Sequence, residues 1–237
     1  MELIREHWDS KSYGEFTDFL LQNKKEGFAE FAAKMIPTKY KIIGVPSPII
    51  GKIIKQIAKG NFAEFIACSK TDYYEQIAIL GQVITSSKCD CFARKKYLTQ
   101  FIPLIDNWAV NDVTCCAFKS LKKENAEYCE FLKNLLGGGT YSIRFALCCF
   151  MNYYLTDDAY VDEIFKFVNE VTNKDYYVMM MQAWLIATAF VKQREKTLTF
   201  LKNNKLEKVT QNKAIQKMRE SFRVSAEDKQ MLLSLKK

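Results

Sequence analysis

Gly137-Gly138-Gly139-Thr140-Tyr141-Ser142-Ile143-Arg144-Phe145-Ala146-Leu147-Cys148-Cys149-Phe150 is the stretch whose pattern decides the fold. Three consecutive glycines break any preceding helix, since each costs about 1 kcal/mol relative to alanine in a helix interior. After them the apolar residues recur at helical rather than alternating spacing, which predicts a helix over 140–155. Its opening aromatic, Tyr141, belongs to a series. Tyr73, Trp108, Tyr141 and Tyr176 open alternate predicted helices, 35, 33 and 35 residues apart. Each begins a helix of small and apolar residues that is followed by a shorter, more charged one. A period of this size filled by two helices is the signature of an α-solenoid. One helix pair cannot bury its apolar face alone, so neighbours must stack into a continuous core. The expected form is a curved superhelix whose concave surface is lined by one helix of each pair.

Outward from this stretch the helical pattern continues in both directions. Phe16, Phe19 and Leu20 mark a first helix, and Phe28, Phe31, Ala32 and Met35 a second that Pro37 stops. Ser47-Pro48 predicts a serine-capped helix with proline in its first turn, running to Lys59 and ended by Gly60-Asn61. Asp72 is placed as the cap of a helix through Thr85, and a further helix runs from Asp90 to Phe101 before Pro103. Later helices are predicted over 107–119, 124–136, 158–171, 175–191, 194–203, 207–222 and 225–235. No strand pattern and no Pro/Gly/Ser-rich linker is present, so the expectation is all-α and a single domain over 1–237.

With 49% hydrophobic and 26% charged residues in 237, the chain has the composition of a globular protein able to bury a sizeable core, not of a disordered one. Met1-Glu2-Leu3-Ile4-Arg5-Glu6-His7 is acidic and mixed, unlike a secretory signal, and no apolar run is long enough to span a bilayer. A cytoplasmic location, no membrane contact and a monomer are expected. Cys115-Cys116 and Cys148-Cys149 sit inside apolar helical patterns, where cysteine behaves as a small hydrophobe. Cys89 and Cys91 lack the further ligands a tetrahedral zinc site requires, and His7 is the one histidine, so no metal is expected. The formal charge of +8 is uneven: residues 201–237 hold ten Lys or Arg against four Asp or Glu. That basic end suits a polyanionic partner, although charge alone fits a solvated helix face better.

The chain has no P-loop, no dinucleotide glycine fingerprint and no GxSxG elbow, and one histidine leaves no triad. Chemistry must then rest on carboxylate, arginine and aromatic groups. Trp108 and Asp112 are four residues apart in Asn107-Trp108-Ala109-Val110-Asn111-Asp112, which puts both on one helix face. Taken alone, the pair also reads as a core tryptophan and an ordinary surface carboxylate. Arg144 enters an apolar helix and needs water, a carboxylate or a phosphate, because an unpaired buried charge is costly. Trp184, in Met179-Met180-Met181-Gln182-Ala183-Trp184-Leu185, taken alone reads as core. Residues 108, 144 and 184 nevertheless fall in three consecutive helix pairs, where equivalent positions of a solenoid align on one surface.

At these residues the sequence resembles the AlkD-like DNA alkylation repair family, the HEAT-like-repeat alkylpurine DNA glycosylases. The family's Trp-x-x-x-Asp pair matches Trp108 and Asp112, with Ile105-Asp106-Asn107 before them. Its arginine matches Arg144 in Ile143-Arg144-Phe145-Ala146, and its second tryptophan matches Trp184. Ile42-Ile43-Gly44-Val45-x-x-Pro48 resembles its N-terminal turn, with Pro46 where the family often carries a basic residue. Phe200 through Lys217 is similar as well, so the likeness spans roughly residues 27–235. The resemblance implies a right-handed superhelix of HEAT-like repeats with a concave DNA-binding face. It also implies hydrolysis of the N-glycosidic bond of cationic N3- or N7-alkylated purines in duplex DNA, without a cofactor and without swinging the nucleotide into a deep base pocket. On this reading Asp112 and Trp108 are catalytic, and Arg144 and Trp184 hold the DNA. A non-catalytic binder of distorted or branched DNA is the alternative, and a protein-interaction scaffold the third.

Overall fold

The computed structural model describes residues 2–237, and among them it contains fourteen α-helices and no strand. The chain forms two compact units, Met1–Ser120 and Leu121–Lys237. The first holds α1 (Ser10–Gln22), α2 (Phe28–Ala33), α3 (Ser47–Ile57), α4 (Phe62–Ala67), α5 (Tyr74–Ser86), α6 (Cys91–Phe101) and α7 (Trp108–Ala117). The second holds α8 (Asn125–Leu135), α9 (Thr140–Tyr153), α10 (Asp158–Glu170), α11 (Tyr176–Lys192), α12 (Arg194–Lys202), α13 (Lys208–Glu220) and α14 (Ala226–Met231). In the first unit α5 packs between α3 and α7; in the second α11 packs between α9 and α13. Alternate helices thus stack in layers, the packing of an α-solenoid. The periodic aromatics Tyr73, Trp108, Tyr141 and Tyr176 all fall within one residue of the start of α5, α7, α9 and α11.

The first core is aromatic. Trp8, Tyr13, Phe16 and Phe65 are buried together, with Trp8 and Phe65 edge to face at 5.0 Å. Phe65 comes from α4, a helix absent from the sequence expectation, which stopped at Gly60-Asn61. Helix α3 ends at Ile57, ahead of Gly60, and Asn61 then caps α4 by accepting the Glu64 amide at 3.2 Å. Two other boundaries move by one residue: Pro46 rather than Ser47 is the cap of α3, and Tyr73 rather than Asp72 that of α5. At the second, the Gln76 side-chain oxygen accepts both the Asp72 and Tyr73 amides, at 3.0 and 3.1 Å, and so sets the helix start.

In the second unit α9 is buried on nearly every side from Ile143 to Met151. Such a helix belongs at the centre of its layer. Cys148 and Cys149 fill this core, as Cys115 fills α7. Phe165 of α10 stacks on Phe200 of α12 at 4.6 Å between centroids.

Two phenols, Tyr13 and Tyr154, are buried in these layers and a third, Tyr74, is half-buried. Tyr13 donates to the Lys70 carbonyl at 3.3 Å and Tyr154 to the Asn125 carbonyl at 2.6 Å. Burial pushes the ionisation of both well above the usual tyrosine range, and pushes Tyr74 up to about 12, with the charge of Glu75 as the lesser cause. The folded chain therefore holds these protons more tightly than the unfolded chain, whose phenols titrate near about 10. Stability is at its full value below that pH and is lost above it, at about 1.4 kcal/mol per pH unit for each phenol, through the folded values. Urea unfolding measured between pH 9 and 11.5 should show this decline; a flat free energy across that window would contradict the sealed environment.

Candidate catalytic helix and nucleic-acid interface

The α7 N-terminus is assembled from polar side chains that the preceding residues supply. Asn107 caps the helix by accepting the Val110 amide at 2.9 Å, and its own amide donates to Asp106 at 2.7 Å. Trp108, the first helical residue, is half-buried, and its indole N–H donates to the Met35 carbonyl at 3.2 Å. It is no core tryptophan; Trp8 fills that role in this unit. One turn on, Asp112 is half-buried, and its Oδ1 accepts a hydrogen bond of 3.0 Å from the Asn111 side-chain amide. The i, i+4 spacing therefore does what the sequence promised, bringing an aromatic and a carboxylate onto one edge of α7.

The segment 34–46 is fastened at the N-terminal ends of α5 and α7. Asp106 accepts the Thr38 hydroxyl at 2.9 Å and the Lys39 amide at 2.7 Å. Tyr40 donates to the Leu104 carbonyl at 3.0 Å, and Lys41 pairs with Tyr73 in a single parallel bridge. The tightest fastening is at Glu75, whose carboxylate is 2% exposed and accepts the amides of Ile43, Gly44 and Val45 at 2.9, 2.7 and 3.2 Å. Gly44 adopts φ +91°, and a Cβ there would lie 2.8 Å from the Ala29 amide nitrogen, so only glycine fits. The Gly-Val turn singled out in the sequence is thus a backbone nest wrapped on a buried anion. Pro46 follows it as the α3 cap, its carbonyl accepting the Ile49 amide at 2.9 Å.

In the second unit, Arg144 is 5% exposed, and its guanidinium donates to the Tyr177 main-chain carbonyl at 2.8 Å. Tyr141 and Tyr177 pack around the same helix ends, their rings 5.8 Å apart, with Tyr176 against Tyr177 at 5.3 Å. Trp184 is 39% exposed on α11, between buried Ala183 and Leu185, so the core reading does not hold for it. Trp108 and Asp112 thus share one helix, and Arg144 and Trp184 lie on neighbouring helices of the other unit. Glu75, Asp106, Asn111 and Tyr177 were not singled out from the sequence. Their partners are backbone groups or a neighbouring side chain, and only Asp106, beside the Trp-x-x-x-Asp pair, offered any hint.

The basic end also acquires a shape. Lys208, Lys213, Arg219 and Lys236 line a groove of about 490 Å³ on α13 beside exposed Val209. Other cations of this unit are neutralised: Lys133 by Glu163 at 2.7 Å, Lys174 by Glu207 at 2.7 Å, and Lys196 by Asp162 at 2.9 Å. Arg194 is bound to Asp228 and holds that carboxyl below the ordinary carboxylate range. Among the described residues, none of the four groove cations makes an ion pair. A run of uncompensated charge along one helix is an electrostatic footprint for phosphates.

Among the described residues no cluster of His, Cys, Asp or Glu forms that could hold a metal ion, and no helix is long and apolar enough to cross a membrane. Comparison with curated proteins finds no match. The model of the family described as "DNA alkylation repair enzyme" matches residues 17–218, a span that takes in the Gly-Val turn, the Trp108–Asp112 pair, Arg144, Trp184 and most of α13. The chain belongs to the DNA alkylation repair enzyme family.

Proposed function

We propose that this chain is a DNA glycosylase that hydrolyses the N-glycosidic bond of cationic N3- or N7-alkylated purines in duplex DNA. Membership of the repair family supplies the role in alkylation repair and the DNA partner. The observation that carries the finer reading is Asp112: a half-buried carboxylate, held by a neighbouring amide, one helical turn from a half-buried tryptophan.

The chemistry suits this equipment. An alkylated purine already carries positive charge, so when its bond to C1′ breaks, the electron pair neutralises the base and no general acid is needed. Positive charge then develops on the deoxyribose, and an anion fixed beside it stabilises the transition state. Water adds to C1′ and loses its proton, with Asp112 as the acceptor within reach. In the first unit Trp108 offers a π face to the cationic sugar; in the second, exposed Trp184 offers one to the DNA, and Arg144 is the guanidinium assigned to a phosphate. The reading treats 1–237 as one HEAT-like-repeat domain acting as a monomer in the cytoplasm. The half-buried Trp108 and exposed Trp184 leave little support for a scaffold with both tryptophans in separate cores.

A duplex with a single 7-methylguanine tests the activity directly: released base should accumulate in single-turnover incubations. Tight duplex binding with no release from 7-methylguanine or 3-methyladenine substrates would select the non-catalytic binder instead, a reading to which the α13 groove is equally suited. The groove has its own test. Replacing Lys208 and Lys213 with alanine should reduce the slope of log affinity against log salt by about two, one for each phosphate left without its lysine. An unchanged slope would take α13 out of the interface.

A further inference from the structure

Asn111 has a fully buried side chain on α7, a helix whose other buried residues include Ala109, Val110 and Cys115. Its amide nitrogen donates to Asp112 Oδ1 at 3.0 Å and lies 3.9 Å from the Cys115 sulfur. Its amide oxygen is buried and has no hydrogen-bond partner. The orientation follows from chemistry, since the flipped amide would point its oxygen at a carboxylate oxygen. A leucine has the same branched outline with no polar atom to leave unsatisfied, so packing by itself does not call for an amide here. Asparagine at this site therefore has an unsatisfied oxygen as a standing cost, and the one charged group its nitrogen serves is Asp112.

The bond is geometrically selective. Side chains at i and i+1 diverge by about 100° around a helix and do not ordinarily meet. Contact requires the Asp112 carboxylate to bend back toward the helix interior. Of the staggered positions open to Asp112, the bond favours the one that turns the carboxylate toward Asn111.

We infer that Asn111 is a positioning residue for Asp112, fixing the carboxylate's rotamer through the Nδ2–Oδ1 hydrogen bond so that the anion is pre-set where the sugar cation develops. The inference rests on the proposed catalytic role of Asp112. Asn111 itself, being fully buried, touches neither substrate nor solvent. Its effect falls on the chemical step rather than on binding, because preorganisation of a charge is felt where charge develops.

The test is a double-mutant cycle on 7-methylguanine release with N111L, D112N and N111L/D112N, beside duplex affinity and thermal unfolding for each. The N111L variant should lose about tenfold in single-turnover rate, keep duplex affinity within about twofold, and unfold at or above the wild-type temperature. In the D112N background the same change should cost nothing further, since a residue acting through Asp112 has nothing left to position. Should N111L lose cooperative unfolding, N111A, which removes the same hydrogen bond without adding bulk, carries the same cycle. Wild-type rate in a folded Asn111 variant overturns the inference, as does an equal loss in both backgrounds, which would mark a structural role. If D112N alone keeps the wild-type rate, the catalytic reading of Asp112 fails first, and this inference goes with it.

Discussion

Asp112→Asn should slow release of 7-methylguanine from duplex DNA by about 100-fold or more, a loss of roughly 2.7–4 kcal/mol of transition-state stabilisation. The substitution keeps shape and volume and removes one charge. The Asn111 donor, 3.0 Å from Asp112 Oδ1, still finds a carbonyl oxygen to serve, so α7 should fold unchanged. Duplex affinity should stay level or rise slightly, because an anion near a polyanion has gone. A fall in rate with affinity intact separates transition-state stabilisation from binding. Gel-resolved strand scission at the abasic product, read in single turnover, measures the first, and fluorescence anisotropy the second. Release by the variant at the wild-type rate would remove Asp112 from the mechanism. Equal losses in rate and affinity would indicate a damaged surface rather than a missing charge.

Glu75→Leu should cost the protein about 3–5 kcal/mol, the largest stability effect expected of any single substitution outside the apolar cores. The carboxylate serves the amides of Ile43, Gly44 and Val45 from a position 2% exposed to solvent. Leucine fills the space but leaves three N–H groups without an acceptor, and each buried orphan costs about 1–3 kcal/mol before the loop relaxes. Glutamine should lose less, since it retains one acceptor oxygen, though its NH₂ group would face a donor. The damage should spread locally. With the nest open, hydrogen exchange should quicken first at Ile43, Gly44 and Val45, and then at Lys39, whose amide rests on Asp106 at 2.7 Å. Chemical denaturation and amide exchange together check this. A loss below about 1 kcal/mol would mean that the segment holds itself without Glu75.

These two carboxylates mark the limit of what was legible in the chain. Asp112 stood out because Trp108 lies four residues before it, a spacing that helical geometry places on one face. Glu75 was not visible. Its partners lie thirty to thirty-two residues earlier and are backbone amides, which carry no residue identity. Only the oddity of Gly44-Val45 hinted that the backbone there was special. Helix α4 escaped because Gly60-Asn61 reads as the end of one helix, although Asn61 caps the next by accepting the Glu64 amide.

By itself, then, the sequence determined the all-α class, the repeat of helix pairs and the start of each pair, because periodicity of 3.6 residues and a recurring aromatic are local properties summed along the chain. It also determined which residues could carry chemistry, since a single histidine and the missing phosphate and cofactor motifs left carboxylate, arginine and tryptophan. Only the tertiary structure decided which tryptophans are core and which reach the surface. Trp8 sits among Glu6, His7, Asp9 and Ser10 and Trp184 among methionines, alanine and leucine, yet the first is buried and the last exposed, with Trp108 half-buried. Exposure depends on which neighbouring helix covers a given face, and that follows from long-range packing rather than from a residue's own window. The same holds for charge: ten basic residues near the C-terminus are a composition, and only the fold shows that Lys208, Lys213, Arg219 and Lys236 line one groove while Glu207 and Asp228 are taken up by Lys174 and Arg194.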